Sequence, residues 1–303
     1  MLVLNRKEQR WEDRMFRELP QFLVPGDCLV LNDSKVFPSR LLGHRSAEHA
    51  SGRVELLLLQ PLSPDAKTWT ALVHPGRKLR TGERIQFDGL EAEIIGRGDY
   101  GERTVHFRLN GDIFVLLDKI GHVPLPPYIK RPDTPEDRYR YQTVFAHETG
   151  SIAAPTAGLH FTPEILDACR RAGAEIACVT LHVGLGTFQP VREEKLHSER
   201  FHITADNAAR IKASQRVICV GTTSVRAVES MFLGKQGETD LFIRPDFQFR
   251  RTDALLTNFH LPQSSLLILV CAFAGREFAL GAYQHAVESC YRFYSYGDCM
   301  LIL

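Results

Sequence analysis

Four apolar runs in this 303-residue chain end on residues that can carry charge or move a proton. Cys28–Leu31 leads into Asn32, Asp33 and Ser34; Ile176–Leu181 into His182 and HVGLGTFQP; Arg216–Val220 into Gly221, Thr222, Thr223 and Ser224; and Leu255–Asn258 into His260. Polar residues just past buried strands are where an open α/β sheet presents a ligand crevice, although for Asn32–Ser34 taken alone a capped turn is the preferred reading. His160, in the Gly-, Ala-, Ser- and Thr-rich loop GSIAAPTAGLHFT, and His182 are candidates for a general acid or base, because an imidazole titrates near neutrality. A hydrogen-bonded structural role fits each of them too. The helix start in GTTSVRAVESMF offers N–H and hydroxyl donors to a carboxylate or phosphate, with a capped structural helix as the plain alternative. It has neither the glycine spacing of a dinucleotide fingerprint nor GK[ST], which removes the dehydrogenase and kinase readings. HSERFH, at His197–His202, lacks both HExxH and a Cys/His quartet, so no metal site is expected.

The elements that must position these residues are legible in outline. Thr162 precedes Pro163 and Glu164, giving an N-cap, Pro at the first helical position and an acid in the first turn. Ile165, Leu166, Ala168 and Cys169 form the apolar face of that helix, and Gly173 stops it before the strand Ile176–Leu181. A strand is expected at Leu2–Leu4 and a helix over Arg10–Leu23, from the spacing of Trp11, Met15, Phe16 and Leu19 with Pro20 near its end. Leu266–Phe273 reads as a helix after the Gln263–Ser265 turn, and YRFYSYGDCMLIL closes the chain on a strand.

From Arg40 to about Asn110 the texture changes to short alternating runs separated by Gly, Pro, Asp or Asn. They suggest a small β-barrel over 46–124, inserted into an α/β body made of 1–45 and 125–303. Phe114–Ile120 is a short helix candidate, and HVPLPPYIKRP a Pro-stiffened connector back to the body. Lys35, Arg40, Arg45 and Arg53, then Arg77, Lys78, Arg80 and Arg84, outnumber nearby acids, although the chain as a whole carries only +1. A solvated face is the bland reading of that bias, and a nucleic-acid footprint the sharp one.

A hydrophobic content of 44% supports a real core. No apolar run reaches the length of a membrane span and MLVLNRKEQRWED has no signal-peptide pattern, so a cytoplasmic protein with no membrane association is expected. The seven cysteines form no CxxC pair and read as reduced core residues.

Taken together, PGDCLVLNDSKVFPSRLLG, VPLPPYIKR, GSIAAPTAGLHFT, VTLHVGLGTFQPV, HSERFHI, GTTSVRAVES, TNFHLPQSSLLILVCAFAG and YRFYSYGDCMLIL resemble, in order and over nearly the whole chain, the S-adenosylmethionine:tRNA ribosyltransferase-isomerases of queuosine biosynthesis. The resemblance implies an α/β domain carrying an inserted β-barrel. It also implies transfer of the ribosyl group of S-adenosylmethionine to 7-aminomethyl-7-deazaguanine at the tRNA wobble position, giving epoxyqueuosine, adenine and methionine. S-Adenosylmethionine is then a co-substrate, with no other cofactor, and the partner is the tRNA carrying that base; the enzyme is expected to act as a monomer.

Such chemistry needs a base for the proton on the carbon beside the sulfonium, a donor for departing adenine, and a carboxylate or amide for the deazaguanine edge. His160 or His182 is expected as base or acid, Thr187 and Gln189 as substrate contacts, and Phe188 as a stacking ring. Asn32, Asp33, Asn258 and His260 are expected to face one crevice, Thr222, Thr223 and Arg226 to receive the methionine carboxylate or a tRNA phosphate, and Arg40 to contact substrate as well. Members usually carry a further segment ahead of the strand matching Leu2–Leu4, and Ala where Leu185 stands. A tRNA-binding module without catalysis would need only the basic barrel, whereas a methyltransferase would need a Gly-rich loop after its first strand, and this chain has none.

Overall fold

The computed structural model describes residues 1–46, 52–76, 79–98, 101–126, 128–184 and 196–303. It divides into two compact units, Met1–Lys35 with Gln142–Leu303, and Val36–Tyr141, whereas the sequence reading placed the insertion at 46–124. The earlier start follows from strand Arg40–Arg45, which pairs with Arg53–Pro61 inside the barrel.

The first unit is an α/β layer structure. Its sheet runs, edge to edge, through Glu238–Thr239, Glu199–His202, Glu175–Leu181, Asp27–Asn32, Arg216–Val220, Ala254–Asn258, Cys299–Ile302, Leu2–Asn5 and Arg10–Asp13. The four central strands, from Glu175–Leu181 to Ala254–Asn258, are mutually parallel, and the flanks add antiparallel pairs. Parallel strands buried on both faces must be apolar throughout, and their alternate residues enter two separate cores. Cys28, Val30, Val217, Cys219 and Leu255 meet helices Thr222–Phe232, Ser265–Ala274 and Arg276–Glu288, while Leu29, Leu31, Ile218, Val220 and Leu256 meet helix Pro163–Arg171. The expected start of that last helix is present: the Thr162 hydroxyl accepts from Ile165 N at 3.4 Å, and Gly173 leaves the helix at φ +94°.

The helix expected over Arg10–Leu23 is not formed. Arg10–Asp13 instead pairs antiparallel with Leu2–Asn5 through a turn in which Asn5 Oδ1 accepts from the Lys7 and Glu8 amides, both at 3.1 Å. Leu2–Leu4 lies parallel to Met300–Ile302, so this edge is set by pairing with the far end of the chain, which overrides local spacing. Phe16–Phe22 is a 3-10 helix, in keeping with Pro20 inside it, which has no N–H for an α ladder.

The second unit is a closed six-stranded antiparallel barrel, ordered Glu102–Arg108, Thr68–His74, Arg53–Pro61, Arg40–Arg45, Arg84–Phe87 and Leu90–Arg97. Strict alternation fills its interior with residues such as Leu41, Leu56, Leu58, Trp69, Ile85 and Phe107. A Cβ at Gly43 would stand 2.6 Å from the Gln86 carbonyl oxygen, so the crossing of Arg40–Arg45 with Arg84–Phe87 requires glycine. Helix Ile113–Ile120 follows the barrel strands, capped by Asp112, whose carboxylate accepts from Phe114 N at 2.8 Å.

All seven cysteines are unpaired, as expected, although Cys290 is exposed and Cys178 and Cys271 only half-buried. Among the described residues no single helix is long and apolar enough to cross a membrane, and none of the His, Cys, Asp and Glu side chains group so as to hold a metal ion.

Candidate active site

The four parallel strands deliver their polar ends side by side. His182, Asn32 and Asp33, Gly221 to Thr223, and Asn258 follow strands that are neighbours in that order, so the crevice spans three inter-strand spacings, about 14 Å. His160 joins from the loop that crosses these ends. Its Nε2 lies 3.0 Å from Asn258 Oδ1 and its ring 5.1 Å from that of Phe16, at 34°. Burial holds the imidazole below its usual pKa, against a smaller upward pull from the Asn258 hydrogen bond, so the ring is neutral at pH 7.

The loop is held down by its own small residues. Ser151 Oγ donates to Ala153 O at 2.7 Å and accepts from Val183 N at 2.9 Å. A Cβ at Gly158 would lie 2.7 Å from both Phe145 and Thr143, and one at Gly150 would lie 2.8 Å from the His182 ring. The glycines of GSIAAPTAGLH therefore permit close approach between the loop and the strand ends.

His182 sits at the opposite end of the crevice from Asn258. Its Nδ1 is buried with no hydrogen-bond partner among the described residues, and burial, helped by Arg200, pushes its pKa down to about 4. His260 is pushed down to about 4 by burial as well; its Nε2 meets Thr257 Oγ1 at 2.8 Å and its amide donates to the Tyr283 hydroxyl at 2.9 Å. Both folded pKa values lie below the value near 6.5 of an unfolded chain, so the unfolded state takes up protons first. Stability is expected to be full above pH 6.5 and to fall as pH drops towards 4. Urea midpoints measured across that window check this, and a His260→Gln variant should show a shallower decline; an identical decline would remove His260 from the account.

Asp33 is a half-buried carboxylate whose Oδ1 accepts from Thr180 Oγ1 at 2.6 Å. Burial raises its pKa, outweighing the Thr180 hydrogen bond, and Glu148 adds a smaller push in the same direction. Asn32 is different. Its Nδ2 donates to Leu181 O and its Oδ1 accepts from Leu181 N, both at 3.0 Å, and from Ser34 N at 3.1 Å. The side chain therefore stitches two parallel strands together, which the sequence reading did not foresee.

At the third strand end, Gly221 turns at φ +88° into helix Thr222–Phe232, and no side chain caps the helix. Thr222 and Thr223 are buried, and Thr223 Oγ1 has no hydrogen-bond partner among the described residues. Uncapped amides beside an unpartnered buried hydroxyl make an anion-receiving end. Arg226, one turn further, is engaged within the protein. It forms a buried ion pair with Glu199 and donates to Leu241 O at 2.9 Å and Thr239 O at 3.4 Å, while Glu199 also accepts from Gly184 N at 2.8 Å. Arg40 belongs to the barrel unit, where it holds Glu55 in a two-pronged pair at 2.7 and 2.9 Å. Thr187, Phe188 and Gln189 lie outside the described residues.

Two further hydroxyls, those of Ser34 and Thr143, are buried without partners among the described residues; the sequence named Ser34 only within a turn and did not single out Thr143. Ser34 carried a signal, closing the NDS triplet after a buried strand; Thr143 carried none. Nor did the sequence single out the carbonyls of Tyr294 and Ser295, which accept from Asn258 Nδ2 at 2.8 and 3.3 Å.

A family model described as queuosine biosynthesis protein matches residues 1–302. The chain is 62% identical over 325 residues to the S-adenosylmethionine:tRNA ribosyltransferase-isomerase of Solibacter usitatus, covering 100% of this chain and 92% of that protein. It is 48% identical over 320 residues to the enzyme of the same name from Symbiobacterium thermophilum, with 100% and 92% covered. A crystal structure of S-adenosylmethionine tRNA ribosyltransferase from Thermotoga maritima matches with a TM-score of 0.54 at 38% identity, over 100% of this chain and 91% of that one. On that identity and coverage, the chain belongs to the queuosine biosynthesis protein family.

Proposed function

We propose that this chain is a ribosyltransferase-isomerase of queuosine biosynthesis that moves the ribosyl group of S-adenosylmethionine onto 7-aminomethyl-7-deazaguanine at the wobble position of tRNA, releasing adenine and methionine. The observation that carries the reading, beside family membership, is a neutral imidazole, His160, fixed by Asn258 at one end of a crevice built from four parallel strand ends.

His160 is the base. A proton on the ribosyl carbon bonded to the sulfonium is acidified by that positive charge, and a neutral ring at pH 7 is the form able to take it. The uncapped start of helix Thr222–Phe232 with Thr223 receives the methionine carboxylate, because aligned N–H groups and a buried hydroxyl favour a negative charge. Asp33 Oδ2 holds the donor edge of the deazaguanine, with Thr180 fixing Oδ1. His182, at the far end of the crevice, serves a different part of the substrates from His160. Arg226 is left out of ligand binding, since its guanidinium is already engaged.

Thr223→Val is expected to raise the KM for S-adenosylmethionine about tenfold, the worth of one hydrogen bond to a charged group, with kcat within about twofold. Initial-rate kinetics check it, and an unchanged KM would remove Thr223 from the carboxylate site. The function itself is tested by incubating the 303-residue protein with S-adenosylmethionine and a tRNA bearing 7-aminomethyl-7-deazaguanine, then assaying small products by mass spectrometry. Adenine and methionine in equal amounts with epoxyqueuosine in the tRNA support the reading. Adenosylhomocysteine would instead indicate methyl transfer.

A further inference from the structure

We propose that Asn258 is a positioning residue that fixes the tautomer of His160, placing the proton on Nε2 and leaving the Nδ1 lone pair as the atom that does the chemistry. The inference deepens the assignment of His160 as base and rests on it.

Asn258 Nδ2 faces two backbone carbonyls, Tyr294 O at 2.8 Å and Ser295 O at 3.3 Å, and Oδ1 faces His160 Nε2 at 3.0 Å. Turned over, the amide would set its oxygen against two carbonyl oxygens, three acceptors with no proton among them. The two carbonyls therefore decide which way the amide points. With Oδ1 towards the ring, only a protonated Nε2 completes a hydrogen bond, and a neutral imidazole then carries its lone pair on Nδ1.

The carbonyls are themselves fixed. Tyr294 adopts φ +74° and its amide donates to Phe259 O at 3.1 Å. Gly297 closes the same loop where a Cβ would stand 2.3 Å from Arg292 O, and Asp298 N donates to that oxygen at 2.6 Å. YSYGD is thus a tight turn whose role, on this account, is to aim two carbonyls at one amide, which explains a motif that the substrate-contact reading left unused. Asn258 itself is about 98% buried, with both ends of its amide engaged within the protein, so its contacts are with the protein and with His160.

The proton step then balances without a further reactant. The C–H bond beside the sulfonium breaks, its proton forms a bond to Nδ1, and its electron pair stays on carbon opposite the positive sulfur, while His160 becomes an imidazolium held by the same Nε2–H···Oδ1 bond.

Two measurements test this. The charged groups that bear on His160 are Asp298, Arg292 and the Met1 amino group, which all remain in the variants used. First, 15N–1H correlation spectra of the wild-type protein, assigned with His160→Gln, report which ring nitrogen of His160 carries the proton. Protonated Nε2 is expected, and a protonated Nδ1 would overturn the proposal whatever the activity. Second, Asn258→Ala is expected to lower kcat about 10- to 100-fold, the usual cost of losing the partner that orients a histidine, with KM within about twofold. In the same spectra Asn258→Ala should show His160 as a mixture of both tautomers in place of protonated Nε2 alone. An Asn258→Ala protein with wild-type kcat, or one whose His160 still carries its proton on Nε2 alone, would overturn the proposal. If instead His160→Gln keeps full activity while the wild-type spectrum shows protonated Nε2, the base assignment fails and the tautomer stands, which separates the two claims.

Discussion

Replacing His160 by Ala is expected to lower the turnover number about 10²- to 10⁴-fold, the range a positioned general base supplies, while leaving the KM for S-adenosylmethionine within about threefold. The split follows from where the ring sits. His160 meets the protein through Asn258 and packs against Phe16, so removing it takes away a proton acceptor without disturbing the helix end or the Asp33 carboxylate proposed to hold the substrates. Because burial holds its pKa below the usual histidine value, activity should be level through neutrality and fall only on the acid side, once the ring begins to protonate. Steady-state rates of adenine release across pH check both statements. A His160→Ala protein with near wild-type turnover would contradict them, and so would a wild-type acid limb lying above pH 6.5, because that would need a raised pKa.

The second large effect concerns stability. Arg226→Met is expected to cost about 3–5 kcal/mol, because it leaves the Glu199 carboxylate buried and without its cation. Both side chains are less than 10% exposed, so water does little to screen the loss. Adding Glu199→Gln should restore much of the stability, since the amide oxygen can still accept from Gly184 N without a charge to bury. Urea unfolding of the ligand-free single and double variants measures this directly. If Arg226→Met leaves the urea midpoint unchanged and raises only the KM for tRNA or S-adenosylmethionine, the arginine is a ligand contact, as the sequence suggested, and the structural account of it fails.

That contrast shows what could be seen before the fold was known. The polar ends of Cys28–Leu31, Ile176–Leu181, Arg216–Val220 and Leu255–Asn258 were visible because buried parallel strands are apolar throughout, which makes the first hydrophilic residue conspicuous. The Thr162–Pro163–Glu164 helix start and the alternating barrel strands were visible for equally local reasons. What stayed hidden depends on partners far along the chain. Asn32 looks like a ligand residue until Leu181, 149 positions away, takes up both ends of its amide. Arg226 looks like an anion receptor until Glu199 folds onto it. The spacing of Trp11, Met15, Phe16 and Leu19 is helical, but Leu2–Leu4 pairs with the last strand of the chain and draws Arg10–Asp13 into the same sheet. Helix Arg276–Glu288 drew no expectation at all; its buried positions, Phe278, Ala279, Ala282 and Ala286, are mostly alanine, a weak signal for an apolar stripe.

The most direct test of the central claim, that His160 removes a proton from the ribosyl carbon beside the sulfonium, is a single-turnover reaction with S-adenosylmethionine carrying two deuterons on that carbon and the tRNA substrate in excess. The account predicts slower adenine release than with unlabelled S-adenosylmethionine, and product nucleoside that has lost one of the two deuterons, because that carbon keeps a single hydrogen in the epoxycyclopentane. Equal rates together with full retention of both deuterons would mean that the C–H bond never breaks, and the crevice would then need a different chemistry.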